Sequence, residues 1–493
     1  MTGRKKEIDE LTFLCEKDAS ALVAIYGRRR IGKTYLVNAL FSQNSENCLF
    51  FSFTGTSDAR AEIQIKNFIE QVYEWFRAEP SFEIKTWSDA FRFLKRTIDD
   101  EVKKMGTSKK IVIFIDELPW IDPLEKAGFL AALGYFWNTY CEPKQNILMI
   151  LCGSNASWIK NKVLEDAKGP LHNRITKKLA MYPFDLSETK EYLIKEKGFD
   201  IGEKLATDIY MIFGGVAKYL SYLNPKKTLS NNIDELFFSL GGLMYGEYEK
   251  VFNSLFMSKV SSHKKIIDFL CKQRSGYTLT KTASALSLTG AATKKYMEEL
   301  EECGFVRGIT KFGMTKREIK YIVADPYIYF YHKWIKSLSM NDILQISPGY
   351  WNKQTQTQSY SIWRGFSFES VMLQNMPLFL NAKGMSGIAA TYGYWNTLAK
   401  KEGETGAQID IVVDYGNNLY DIVECKYYSE PFEITKKYAQ ELKNKLYMFR
   451  EYGVKRKSSV ELNLVFVTSE GVKTNDAFHS LNIENIFLSD MVK

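Results

Sequence analysis

Eight residues near the start of the chain, Gly27-Arg28-Arg29-Arg30-Ile31-Gly32-Lys33-Thr34, constrain its fold more than any other stretch. They fit the pattern GxxxxGK[ST] in full. They follow the apolar run Leu22–Tyr26 and open a helix-like segment, which is the context the pattern requires. Such a turn aims successive backbone N–H groups, and the positive end of a helix dipole, at one point, so it cradles phosphates. Gly32 lets the backbone approach closely. Lys33 is expected to reach the β- and γ-phosphates and Thr34 to coordinate Mg2+. A loop of this kind needs a parallel sheet behind it. The apolar runs Leu22–Tyr26, Cys48–Phe53, Ile111–Ile115 and Ile147–Cys152, separated by polar helix-like segments, supply one.

The run Ile111–Ile115 ends in Asp116-Glu117. Acids there lie at the C-terminal edge of a buried strand, where open sheets bind ligands. Asp116 is expected to hold the metal through water, and Glu117 to act as the catalytic base. The next strand runs into Gly153-Ser154-Asn155, and Asn155 or Ser154 is expected to sense the γ-phosphate. Arg174, after a Gly-Pro turn, is a candidate arginine finger, in cis or toward a neighbouring subunit.

Bulk properties narrow the class. An apolar fraction of 45 % and a charged fraction of 25 % are ordinary for a chain with full cores. No apolar run is long enough for a membrane span, and the charged N-terminus does not read as a secretory signal. The seven cysteines form no CxxC pair, which argues for reduced thiols in a cytoplasm and against a zinc site.

These motifs together, with Gly3-Arg4 and Glu7 ahead of them, resemble the archaeal-type ATPases of the AAA+/STAND branch of P-loop proteins. The resemblance covers roughly residues 1–335. It implies ATP as the ligand, an adenine pocket near Gly3, Arg4 and Glu7, a helical lid and then a winged helix. The lid of that family usually carries Gly-Gly-x-Pro; this chain reads Gly214-Gly215-Val216-Ala217.

Between Lys259 and Lys320 there are thirteen Lys or Arg against six Asp or Glu, most of the chain's net charge of +8. Such a field suits nucleic acid. Helix-like stretches at His263–Gln273, Thr280–Leu286 and Thr289–Cys303, followed by two strand-like runs, predict a winged helix-turn-helix. Lys294 and Lys295 would enter a major groove, with Arg307, Lys311, Lys316 and Arg317 toward DNA phosphates.

Near the C-terminus, two strand-like runs flank Gly416-Asn417-Asn418, a hairpin signal. A turn centred on Asn417 puts Asp410 opposite Glu424 on one face, with Lys426 beside them. Two carboxylates suit Mg2+ or Mn2+, and a neighbouring lysine can orient water for phosphodiester hydrolysis. The pattern resembles the PD-(D/E)xK nuclease superfamily over residues 360–493. That resemblance implies a further acid on the preceding helix, for which Glu369 is the candidate.

The sequence thus predicts an α/β protein divided into a P-loop NTPase core (1–180) with a parallel sheet, a helical lid (181–258), a winged helix (259–335), a polar linker (336–360) and a restriction-endonuclease-like domain (361–493). The expected activity is an ATPase acting on DNA with a metal-dependent nuclease site, in a homo-oligomer if it works as a motor. The alternative is an ATP-locked oligomerising switch whose C-terminal domain is an inactive recognition platform.

Overall fold

A computed structural model describes residues 2–42, 48–105, 109–123, 126–256, 259–312, 318–454 and 459–492. The chain forms two compact units, Met1–Pro183 and Phe184–Lys493.

The first unit is built on five parallel strands: β1 (Ala21–Tyr26), β2 (Cys48–Thr54), β3 (Lys110–Asp116), β4 (Ile147–Gly153) and β5 (Lys177–Ala180), in the order β2-β3-β4-β1-β5. Four of them match the expected runs. The fifth is only four residues long and was not foreseen. It carries two lysines and a single buried residue, Leu179, so it gives no apolar run to read. Both faces of the sheet are covered. The helix Trp87–Met105 buries Trp87, Ala90, Phe91, Leu94 and Ile98, spaced by three or four residues along one stripe. Its ring pairs with Phe68 and Phe129 lie in edge-on geometry that aromatic quadrupoles favour. The helix Lys33–Phe41 starts at Gly32, whose φ of 93° few other residues tolerate.

The second unit opens with helices. Asp185 and Glu188 close a capping box on Leu186–Lys195. At the Gly214-Gly215 turn, a Cβ on Gly215 would run into the backbone of Phe184. Three helices, Val260–Leu270, Leu279–Ala285 and Gly290–Glu302, follow near their expected positions. With them comes a small antiparallel sheet of β6 (Tyr277–Thr278), β7 (Val306–Thr310) and β8 (Ile319–Val323), in the order β6-β8-β7.

The expected linker is not one. Residues 336–360 carry the helices Met340–Gln345 and Tyr350–Gln354 and the start of Gln358–Gln374. Trp351 is 2 % exposed, stacked on Phe238 and edge-on to Phe330 and Trp334. The polar Gln and Thr residues supply helix caps and a solvated face, while one buried indole anchors the segment.

The chain ends in a five-stranded mixed sheet of order β13-β12-β11-β10-β9: β9 (Thr391–Thr397), β10 (Ala407–Asp414), β11 (Leu419–Lys426), β12 (Glu461–Thr468) and β13 (Ile483–Phe487). The first three strands pair antiparallel and the last three parallel. The turn between β10 and β11 has positive φ at Gly416, Asn417 and Asn418, as that residue choice predicts. Lys311 bridges to Tyr394, and Phe312 N–H donates to the Tyr394 carbonyl at 3.0 Å. Among the described residues no helix is long and apolar enough to cross a membrane. All seven cysteines are free thiols.

Candidate functional site

The loop 27–34 leaves the C-terminal end of β1, and the order of strands inserts β4 between β1 and the acid-bearing β3. The loop's shape depends on unusual backbone angles at Gly27, Arg30 and Gly32. A Cβ at Gly27 would collide with the Met181 carbonyl. Lys33 is buried, and its ammonium donates to the carbonyls of Gly27 and Arg28 at 2.8 Å each and to Ser154 Oγ at 3.1 Å. Burial pushes its pKa below the ordinary lysine range, against the pull of Glu117 and Asp116. An ammonium tied to carbonyls of its own loop can exchange them for phosphate oxygens.

Thr34 Oγ1 donates to Asp116 Oδ2, so the two expected Mg2+-binding groups meet. Ser154 Oγ donates to Glu117 Oε1 at 2.7 Å, and Ser154 N–H donates to Oε2 at 3.3 Å. Glu117 sits at φ 46°, a strained region for a side-chain-bearing residue. Arg29 lies 3.8 Å from the Glu117 carboxylate and 4.4 Å over the Trp120 ring. Gly3 and Arg4 both have positive φ; the Arg4 guanidinium donates to the Ile31 carbonyl at 3.1 Å and lies 3.6 Å from Glu7. The Gly3-Arg4-Glu7 segment therefore abuts the phosphate loop.

One pair of candidates is narrowed and one position is corrected. Asn155 accepts from the Trp158 N–H at 2.9 Å and caps the helix Ala156–Ile159, so Ser154 is the residue that touches both Lys33 and Glu117. Arg174 pairs with Glu142 at 3.7 Å on an exposed surface. It lies three residues before Lys177, the β5 partner of Val23, and so belongs to the N-terminal end of the sheet, opposite the loop. It is no cis finger.

Residues 1–223 match a family of ATPase domains found predominantly in Archaea. The N-terminal part of this chain is thus similar to the archaeal-type ATPase domains. An uncharacterized protein of Methanocaldococcus jannaschii is 26 % identical over 381 residues, 75 % of this chain and 75 % of its own length. An uncharacterized ATP-binding protein of the same organism is 23 % identical over 252 residues, 45 % of this chain and 68 % of its own. Among solved structures, a Walker-type ATPase of Pyrococcus abyssi is similar at a TM-score of 0.47 and 17 % identity, over 68 % of this chain and 96 % of that one. That similarity to an ATPase family supports nucleotide binding.

In the second unit, the register expected around Asn417 is present: Asp414 pairs with Tyr420 and Ile411 with Val423. The ladder then stops. A bulge between Ile409 and Val412 shifts the pairing of β10 with β9 by one residue. Ile409 and Val412 pack in one core and Ile411 and Val413 in the other, so alternation is broken at Asp410. Asp410 is exposed and accepts from Gln408 Nε2 at 2.8 Å. Glu424 is buried, bonded to Lys445, to the Tyr438 hydroxyl at 2.7 Å and to Lys426 at 3.3 Å. The expected same-face carboxylate pair is thus corrected to two acids flanking a fork between β10 and β11.

Glu369, on the helix Gln358–Gln374, faces that fork. Burial first, then the Asp410 charge, pushes its carboxyl up to about 8, against the pull of Arg274 and Lys426. Burial works to raise the Glu424 carboxyl too, but Lys445 and Lys426 outweigh it and hold it below the usual range. Among the described residues no three His, Cys, Asp or Glu side chains are arranged as a metal centre. Sequence reasoning missed Lys445. Its signal was the seven-residue spacing from Tyr438, which sets both on one helix face.

Of the basic residues, Lys294 and Lys295 are exposed, Lys294 lying 3.7 Å from Glu298. Arg307 does not face outward: its guanidinium donates to the Leu373 carbonyl. Lys316 and Arg317 lie outside the described residues.

Proposed function

We propose that the protein is an ATP-driven enzyme acting on DNA. In this reading a P-loop ATPase core (1–180) with a helical lid (181–258) licenses DNA contact by a winged helix (259–335) and a metal-dependent phosphodiester cut at the C-terminal sheet (361–493). At the nucleotide site Lys33 takes the β- and γ-phosphates, Thr34 and Asp116 take Mg2+, and Glu117 polarises the attacking water. The observation that carries the DNA reading is that Asp410 and Glu424 flank the point where β10 and β11 part, with Glu369 on the same cavity as Asp410 and Lys426 bonded to Glu424. Their carboxylate oxygens suit Mg2+ or Mn2+, and a protonated Glu369 beside Asp410 is a state that a cation relieves. As the side chains stand these three acids do not form a metal centre, so Glu369, Asp410 and Glu424 would hold the ion only after Glu424 leaves Lys445 and the carboxylates draw together; the ion would then supply a Lewis acid for the phosphate and lower the pKa of bound water. Lys426 sits 4.8 Å over the Tyr438 ring and orients the water.

One observation favours the rival reading. Glu424 already has Lys445, Lys426 and Tyr438 for partners, and a carboxylate so neutralised has less call for a metal. An inactive recognition platform on an ATP-locked oligomer would look the same.

The test is incubation of the protein with plasmid, with Mg2+ or Mn2+, and with or without ATP. Cleavage is expected, lost in Asp410→Ala and Lys426→Ala while ATP hydrolysis stays near wild type. Glu117→Gln should bind ATP and fail to hydrolyse it. No cut under any condition, with calorimetry detecting no Asp410-dependent metal binding, establishes the platform instead.

A further inference from the structure

Beside the carboxylates the second unit holds a cavity of about 330 Å³. One wall is the end of the helix Val260–Leu270 with β7 and β8. The other is the helix Gln358–Gln374 with β9 and β10. The volume is that of a small-molecule site, and three kinds of group line it.

The first is a pair of cations laid on aromatic rings. The Arg274 guanidinium lies 3.7 Å over Phe366 and 4.6 Å over Tyr329, whose hydroxyl accepts from it. The Lys320 ammonium lies 4.4 Å from the centre of the Tyr394 ring. Among the described residues neither cation is in an ion pair. The second is the side-chain oxygen of Asn396, buried without a hydrogen-bond donor. A buried acceptor left so is costly, and a ligand N–H would satisfy it. The third is the acid pair Glu369 and Asp410 at the fork.

A flat ring that offers N–H donors and carries an anion matches these groups. Entering there, the ring would displace Lys320 from the face of Tyr394 and stack on it beside Phe366, its N–H turned to Asn396 and its phosphate to the freed Lys320 and to Arg274. In a duplex both base faces are stacked and the pairing edge is used, so only an unpaired or extruded base can enter. We propose that this cavity takes one unpaired nucleotide of a DNA strand, so that the protein selects DNA with an unpaired residue next to the carboxylate fork. This rests on the reading that the C-terminal sheet acts on DNA, but it concerns binding, not cutting.

The experiment therefore uses the full chain in EDTA, where no cleavage occurs, carrying Lys33→Ala so that free nucleotides do not compete at the phosphate loop. The probe is a short fluorescein-labelled deoxyoligonucleotide, single-stranded or paired with its complement, read by anisotropy. The single strand is expected to bind about ten-fold tighter than the duplex, the scale of one stacked base. Asn396→Ala and Arg274→Gln should each remove most of that preference and leave duplex binding unchanged. Asn396→Ala deletes an unpartnered group, so it keeps the fold even if Arg274→Gln loosens it. Equal affinity for the two probes, or a preference that survives both substitutions, overturns the proposal. Deoxynucleoside monophosphates serve as competitors. If they bind tighter than the oligonucleotide, the occupant is a free nucleotide and the strand assignment falls. The cleavage reading fails separately, through a single-strand preference present without any cut when metal is restored.

Discussion

Replacing Ser154 with Ala tests the nucleotide site at its centre. The Ser154 hydroxyl accepts from Lys33 at 3.1 Å and donates to Glu117 at 2.7 Å, so it joins the proposed phosphate-binding cation to the proposed base. Arriving phosphate draws Lys33 off its carbonyl partners, and its bond to Ser154 is exchanged in the wild type too. The bond to Glu117 has no such substitute. A hydrogen bond to a charged group contributes about 1.5–3 kcal/mol. Lost from the positioning of the base in the transition state, that is roughly ten- to hundredfold in kcat. The Ser154 backbone N–H at 3.3 Å and Arg29 at 3.8 Å still hold the carboxylate, which favours the lower half of the range. Steady-state phosphate release gives kcat, and a fluorescent ATP analogue gives affinity. Turnover should fall with affinity changed by less than about three-fold. A kcat within about two-fold of wild type would refute the positioning argument. A loss carried wholly by affinity would assign Ser154 to Lys33 instead.

Lys294→Ala combined with Lys295→Ala should weaken DNA binding and flatten its salt dependence, since fewer counterions are released; titrations across ionic strength read this, and an unchanged slope moves the contact surface elsewhere. Glu369 gives a pH prediction. Its folded carboxyl at about 8 lies above its ordinary value of 4.5, so the folded chain holds a proton that the unfolded chain releases in between, and stability falls as pH rises through that window. Glu369→Gln, which copies the protonated form, should melt above wild type beyond pH ~8 and level with it below ~4.5; a melt at or below wild type beyond ~8 contradicts the assignment.

The nucleotide site was legible because its chemistry is local. The loop is one continuous stretch, Asp116 and Glu117 are adjacent, and apolar runs mark four of five strands. The choice between Ser154 and Asn155 was not legible, because two polar neighbours after a strand read alike until one caps a helix. That Arg174 sits at the end of the sheet away from the loop was not legible either, because β5, the strand that places it there, has no apolar run to read. In the C-terminal sheet the turn and register followed from Gly416–Asn418, but the bulge at Asp410 did not. A bulge is one extra residue, and here it sets strand β10 against β9, a partner that the hairpin pattern does not name. The polar stretch 336–360 misled because composition averages over a segment, whereas two buried residues, Ile343 and Trp351, fix it in the core.

The contact of Lys311 and Phe312 with Tyr394, and of the Thr310 carbonyl with the space beside Gly393, bears on how this chain can be taken apart. Strand β9 ends its sheet, and the segment just after β7 lies along its open side. A truncation in the 336–360 region would strip that cover and leave a row of backbone donors and acceptors facing water, the usual template for strand-to-strand aggregation. The isolated C-terminal fragment is therefore expected to self-associate, which size-exclusion chromatography would show as aggregate rather than monomer.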